Sequence, residues 1–192
     1  MITREDVKAR LSGMPERINS VELREKTMDA FMLAIGEGGW RSMEELEEMP
    51  FTLLTDARCI NFWEHTMAVT MGAIGLAMGQ IDSYTKMPYG IDMDRLIAGG
   101  LLHDVGKLVE FERAPNGNYT QSHSGKCTRH PISGTVIAAK ADLPLEIQNI
   151  ITCHAREGEG RPQVIEAVLI HQADFATFNP LVMMVKGQLI IP

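Results

Sequence analysis

The sequence predicts an all-α fold, a helical bundle that carries one small β-hairpin. Three observations predict it. Apolar residues recur at three- and four-residue intervals through most of the 192-residue chain. Short polar residues precede several of those runs, where their side chains can accept from the first N–H groups of a helix. A single Asn-Gly dipeptide, Asn116-Gly117, lies between two short strand-like segments and marks a tight hairpin turn.

Taken in order, Ser20 is the expected N-cap of a helix whose apolar positions include Val21, Met28, Phe31, Met32 and Ile35. A second helix is expected after Asn61, carrying His65, Val69, Ile74 and Leu76, and a third over residues 93–104. Residues 82–91 contain Pro88 and Gly90 and are expected to be a loop. Strands are expected over 108–113 and 119–122, bracketing Pro115-Asn116-Gly117-Asn118. Further helices are expected over 132–141, 144–155 and 163–178, with Pro144 and Pro162 suited to first-turn positions. Residues 181–192 are apolar and fit either a strand or a packed tail.

Hydrophobic residues make up 45% of the chain and charged residues 22%, enough apolar surface for one substantial core. No fixed-period repeat or low-complexity tract divides it. A formal charge of −7 without any Lys/Arg run argues against duplex DNA as a partner. The opening residues Met1 to Asp6 read directly into charged helical sequence, with no apolar signal core and no later run of membrane-spanning length. A cytoplasmic protein without a membrane partner is therefore expected. Cys59, Cys127 and Cys153 are widely spaced and never form CxxC, so they are expected as small packed side chains rather than a disulfide framework or zinc ribbon.

The chemistry concentrates in an ordered set: His65, the adjacent His103-Asp104, His130, His154, and Asp174 with His171 three residues before it. Any one of these histidines alone reads as an ordinary core or surface residue. Together, imidazole and carboxylate suit one or two divalent ions such as Fe, Mn, Zn, Ni or Co, collected from several helices of a bundle. In Leu101-Leu102-His103-Asp104-Val105-Gly106-Lys107, adjacent helical residues lie ~100° apart, so both ligands can reach one cavity. The carboxylate has two oxygens with which to bridge two ions. Lys107 returns to the same face if the helix continues, or is delivered by a turn if Gly106 ends it. A phosphate-loop reading of residues 100–107 fails, because five residues separate the glycines and Leu108 follows the lysine where Ser or Thr is needed.

These segments resemble the HD superfamily of metal-dependent phosphohydrolases, two-metal type. Glu64-His65-Thr66-Met67-Ala68-Val69 is similar to the first histidine helix and LLHDVGK to the defining motif. Arg129-His130-Pro131 with Gly134, and Ile150-Ile151-Thr152-Cys153-His154, are similar to the third and fourth histidine segments, and Ile170-His171-Gln172-Ala173-Asp174 to the final aspartate helix. The resemblance covers residues 61–178, within a single HD-type domain 1–192 that adds an N-terminal helical extension (1–60) and a C-terminal tail (179–192). It implies a helical bundle with the hairpin after the His-Asp motif. Its first metal would be held by His65, His103, Asp104 and Asp174, and a second by His130 and His154, with Asp104 bridging. Cyclic-dinucleotide phosphodiesterases of the superfamily have a second histidine and Gly-Tyr-Pro after the fourth ligand, where this chain reads His154-Ala155-Arg156-Glu157.

The activity implied is hydrolysis of a phosphomonoester or phosphodiester (a nucleotide, cyclic phosphodiester or short oligonucleotide) by a metal-bound hydroxide. The partner is then a small phosphorylated substrate. Asp104 and Lys107 are the expected catalytic residues, Asp104 by bridging the ions and orienting water, Lys107 by neutralising phosphate charge. Lys107, Arg129, Arg156 and His123 are candidate substrate contacts, and His171 is expected to support Asp174 from one helical face. Two alternatives are an HD-type mixed-valent di-iron oxygenase acting on a polyol or organophosphonate, and a non-catalytic regulatory HD domain.

Overall fold

The computed structural model describes residues 1–155 and 161–190. Helix α1 (Arg4–Arg10) starts at a reciprocal cap in which Thr3 and Asp6 each accept from the other's backbone N–H. A 3-10 turn (Met14–Arg17) leads to α2 (Val21–Gly38), capped by the Ser20 hydroxyl at Leu23 N–H, and then to the short α3 (Met43–Glu47). Helix α4 (Phe62–Ser83) begins at a second reciprocal cap, Asn61 with Glu64, and α5 (Met93–Leu102) is capped by Asp92. A single turn of helix, α6 (Lys107–Glu110), runs into the antiparallel hairpin β1 (Phe111–Arg113) and β2 (Tyr119–Gln121), in which Glu112 lies opposite Thr120. The remaining helices are α7 (His123–Cys127), α8 (His130–Lys140), α9 (Leu145–Cys153) and α10 (Ile165–Val185). The fold is thus all-α with one hairpin, as the periodicity predicts.

Helix α5 is the axis of the bundle. Every residue from Leu96 to Leu102 is buried, against α2, α4, α9 and α10. Two glycines allow this approach: a Cβ on Gly100 would sit 2.9 Å from Thr70 Oγ1, and one on Gly99 would sit 2.7 Å from Ile150 Cδ1. The apolar core is continuous from the N-terminal Ile2, Val7 and Leu11 to Ala173 in α10. Burial of this kind contributes ~25 cal/mol per Å² and holds the bundle together against chain entropy.

Several boundaries differ from the sequence expectation. Helix α5 stops at Leu102, and His103 to Gly106 form a turn before α6. That turn crosses the start of α8 so closely that a Cβ on Gly106 would lie 2.1 Å from His130 O. The first strand begins at Phe111 rather than 108, because Val109 and Glu110 donate to Gly106 O and Lys107–Glu110 winds as helix. Pro144 is an N-cap, and Pro162 precedes α10 instead of sitting in its first turn. Helix α10 continues through Pro180 to Val185, so the start of the apolar tail is helix and not strand. Helix α4 likewise keeps Asp82 and Ser83.

The expectation that the chain has no run of membrane-spanning length is also corrected. Ile165–Val185 is long and apolar enough to cross a membrane by length and composition. In the fold it packs on α4, α5 and α9, where Glu166 accepts from Asp92 N–H and Asp174 faces the buried His65.

Candidate metal centre

Five elements bring the ordered set together. His65 lies in the first turns of α4, His103 and Asp104 in the turn after α5, His130 at the first position of α8, His154 at the C-cap of α9 and Asp174 midway along α10. Asp104 is at the centre and 1% exposed. Its Oδ2 stands 3.3 Å from both His65 Nε2 and His103 Nε2, while its Oδ1 stands 3.3 Å from His130 Nε2 and 3.4 Å from His154 Nε2. Asp174 Oδ1 adds a second carboxylate oxygen 3.1 Å from His65 Nε2. Two triads result, His65-His103-Asp104 and Asp104-His130-His154, each compact enough to hold an ion.

The ring protons decide whether these triads fit a metal. His103 Nδ1 is 2.6 Å from Gly100 O and His154 Nδ1 is 2.7 Å from Ile151 O, and a carbonyl can only accept. Both rings therefore carry their proton on Nδ1 and present an Nε2 lone pair. Thr177 Oγ1 donates to Asp174 O at 2.8 Å, which leaves it to accept from His65 Nδ1 at 3.5 Å. The buried Nε2 atoms of His65, His103 and His154 have no hydrogen-bond partner among the described residues. Lone pairs on nitrogen thus converge with carboxylate oxygens and no proton lies between them, an arrangement that a shared cation satisfies. The residues fit one or two divalent ions.

Charge is distributed to keep the carboxylates ionised. Burial alone would raise the Asp104 carboxyl, but the Lys107 ammonium, then the adjoining His103, holds it well below the usual range. Burial likewise opposes ionisation of Asp174, and the His65 ring 3.1 Å away brings it to about 2. Burial lowers the His130 pKa, favouring the neutral ring that ligation requires.

Glu110 is the residue that sequence reasoning missed. It is 1% exposed, and its Oε2 accepts from the His130 backbone N–H at 2.7 Å and from His130 Nδ1 at 2.9 Å. Its Oε1 accepts from Arg129 Nε at 2.8 Å. These contacts offset the penalty of burial and bring its pKa to about 2. Among the described residues, the His130 ring is the one whose Nδ1 faces a carboxylate, so Glu110 both fixes that ring and makes it a stronger donor. The available signal was a lone Glu among Leu108, Val109 and Phe111 in a buried segment.

The cluster opens into a cavity of about 940 Å³. Lys107 and Arg129 line it, as does Lys126, which the sequence reading did not single out. Lys107 is delivered by the Gly106 turn, and its Nζ donates to Asp104 Oδ2 at 2.5 Å and lies 5.6 Å from the Phe51 ring centroid. His123 is the first residue of α7, exposed and away from the cavity lining. Arg156 lies outside the described residues. His171 supports a different partner from the one expected: its Nδ1 is 2.7 Å from His154 O, so it anchors the end of α9 and not Asp174.

Comparison with known proteins agrees with this geometry. The HD domain family model matches residues 62–175. The chain is 29% identical over 173 residues to the dihydroneopterin 2',3'-cyclic phosphate phosphodiesterase of Methanocaldococcus jannaschii, covering 87% of this chain and 67% of that one. It is 31% identical over 99 residues to a ribonuclease Y of Pseudothermotoga lettingae, covering 52% of this chain and 16% of the other. No solved structure matches it. The family match takes in more than half of the chain and every ligand-type residue around Asp104, and the chain belongs to the HD domain family.

Proposed function

We propose that this metal-dependent phosphohydrolase is a phosphodiesterase that opens a cyclic phosphodiester carried by a small molecule. One observation carries the reading: the two oxygens of a single buried carboxylate, Asp104, each face a different pair of histidine nitrogens, with an ammonium and a cavity alongside. A phosphodiester has two non-bridging oxygens that such a centre can hold at once. The choice of a cyclic diester is supported by the printed activity of the Methanocaldococcus jannaschii relative, which this chain resembles along most of its length.

His65, His103, Asp104 and Asp174 would hold one ion, and His130 and His154 with Asp104 a second. When bound, such ions supply Lewis-acid charge to phosphoryl oxygens and acidify water toward neutral pH. The protein's own residues do the rest. Asp104, kept ionised, accepts a proton-bearing group at the cavity floor and fixes its orientation. Lys107 brings a positive charge to the same floor and balances the charge that grows on the phosphoryl oxygens. Arg129, braced by Glu110, and Lys126 add charge to the cavity wall and orient the diester. The backbone carbonyls behind His103 and His154 hold both rings in one tautomer throughout.

The test is hydrolysis of bis(p-nitrophenyl) phosphate and of a nucleoside 2',3'-cyclic phosphate by protein loaded with Mn²⁺ or Fe²⁺, under air and under nitrogen. Turnover in both atmospheres, abolished by a chelator, is expected. Failure to cleave either diester with metal bound, or a requirement for oxygen, overturns the reading.

A further inference from the structure

The family match ends at residue 175, yet six residues that line the cavity lie outside it: Phe51, Thr52, Leu53, Leu54, Phe178 and Asn179. We infer that these two flanks form a recognition subsite for a flat, purine-sized heterocycle attached to the scissile cyclic phosphate. The inference rests on the phosphodiesterase reading and adds what the substrate carries besides its phosphate.

The subsite has a firm base and an open rim. The segment from Pro50 to Asn61 closes on itself through a backbone bridge, with Phe51 N–H donating to Ile60 O at 3.3 Å and Phe62 N–H to Met49 O at 2.9 Å. Closure drives Phe51 inward, where it is 2% exposed and stacks on His65 at 4.3 Å between centroids. Phe178 meets Phe51 edge-on at 6.2 Å, which locks the two flanks against each other and sets both beside a metal-site histidine. On this base Leu53 and Leu54 stand 37% and 70% exposed at the cavity wall, with Phe175 and Phe178 only partly covered.

Chemistry then narrows the occupant. Lys107, Lys126 and Arg129 bring cationic groups to the cavity beside the carboxylates of Asp104, Glu110 and Asp174. A phosphate alone would use that charge and leave the leucines and phenylalanines in water. A ligand that joins an anion to a flat apolar face covers both. Asn179, on the same wall, offers an amide donor and an acceptor to ring heteroatoms. At about 940 Å³ the cavity lies near the top of the ~300–1,000 Å³ range of small-molecule pockets, well beyond what a cyclic phosphate needs.

Two substrates with the same five-membered cyclic diester isolate the subsite: adenosine 2',3'-cyclic phosphate and glycerol 1,2-cyclic phosphate. For the full metal-loaded chain, kcat/KM for the adenosine diester should exceed that for the glycerol diester by about tenfold or more, as a buried ring of this size implies. Phe178→Ala and Leu54→Ala should each cut that ratio severalfold, chiefly through KM. Leu54 is exposed, so its variant reports even if Phe178→Ala does not fold. A second measurement, calorimetric binding of adenosine 3'-monophosphate, should weaken in step. Equal kcat/KM for both diesters, or a ratio unmoved in both variants, overturns the subsite and leaves the phosphodiesterase reading standing. If neither diester is cleaved with metal confirmed, the phosphodiesterase reading fails. The binding measurement then decides the subsite: weakening in the variants supports it, and unchanged or absent binding overturns it.

Discussion

The family core (62–175) and its flanks both line one cavity, by opposite means. In the core, the metal-site histidines are buried and three of them are tied by named contacts: His103 to Gly100 O, His154 to Ile151 O, His130 to Glu110. In the flanks the cavity wall is apolar, and Leu54 is largely exposed. Reactive groups must sit within tenths of an ångström, so the core over-determines them with hydrogen bonds. A surface that selects a shape needs only area and contour, and several sequences can supply it. Substitutions in the core should therefore abolish chemistry, and those in the flanks should redistribute it among substrates.

The most severe break of that contrast is Asp104→Ala. Both triads share this residue, so its loss should deplete both ions and lower turnover by more than about a thousandfold. Elemental analysis beside a diesterase assay checks it, and full metal with wild-type turnover would remove Asp104 from the centre. Next in size is Lys107→Met, which keeps the stem that packs near Phe51 and deletes the charge. Turnover should fall ~100- to 1,000-fold with metal retained, as for loss of one charged transition-state contact. Metal loss in this variant would instead make Lys107 a support for Asp104.

Glu110→Gln sharpens the comparison inside the core itself, because only the His130 side has a carboxylate behind its ligand. An amide can accept from His130 but cannot carry the charge that strengthens the donor. Affinity for the second ion should drop ~10- to 100-fold while the first stays bound. Stoichiometry measured across a metal titration distinguishes this from a general loss of fold, which would release both ions together.

What could be read from the sequence follows the same division. The candidate ligands were legible because histidine and aspartate recur together in a fixed order, and helix starts were legible at Ser20 and Asn61 because capping is local. The break after Leu102 was not, since its cause is Gly106 pressed against His130 O, a neighbour 24 residues away. His171 was assigned to Asp174 from helical spacing, but the nearer acceptor came from another helix, at His154 O. Helix α10 is expected to end at Phe178, and the structure carries it through Pro180 to Val185. No motif marks Phe51 or Leu54, whose roles arise only when the 50–61 segment closes.

The smallest effect concerns how the N-terminal flank is fastened to the core, and it is read in stability rather than activity. Asp94 in α5 accepts from Asn19 N–H at 2.9 Å and Asn19 Nδ2 at 3.0 Å through Oδ1, and from Ser20 N–H at 2.8 Å through Oδ2. Burial opposes its ionisation, but those donors prevail and hold its pKa below 3.8. Because the folded pKa is depressed, the stabilisation is complete above the unfolded value and is lost as pH falls through the folded one. Asp94→Asn turns an acceptor into an amide N–H that meets another donor. With partial exposure discounted, it should cost about 1 kcal/mol at pH 7, a fall in Tm of roughly 2–4 °C. The gap between wild type and variant should narrow as pH drops below 3.8, where the wild-type carboxyl also protonates. Thermal melts from pH 7 to pH 3 measure both features. A gap that is absent at pH 7 would mean that Met14 and Ile18, buried in the shared core, hold the flank by packing alone.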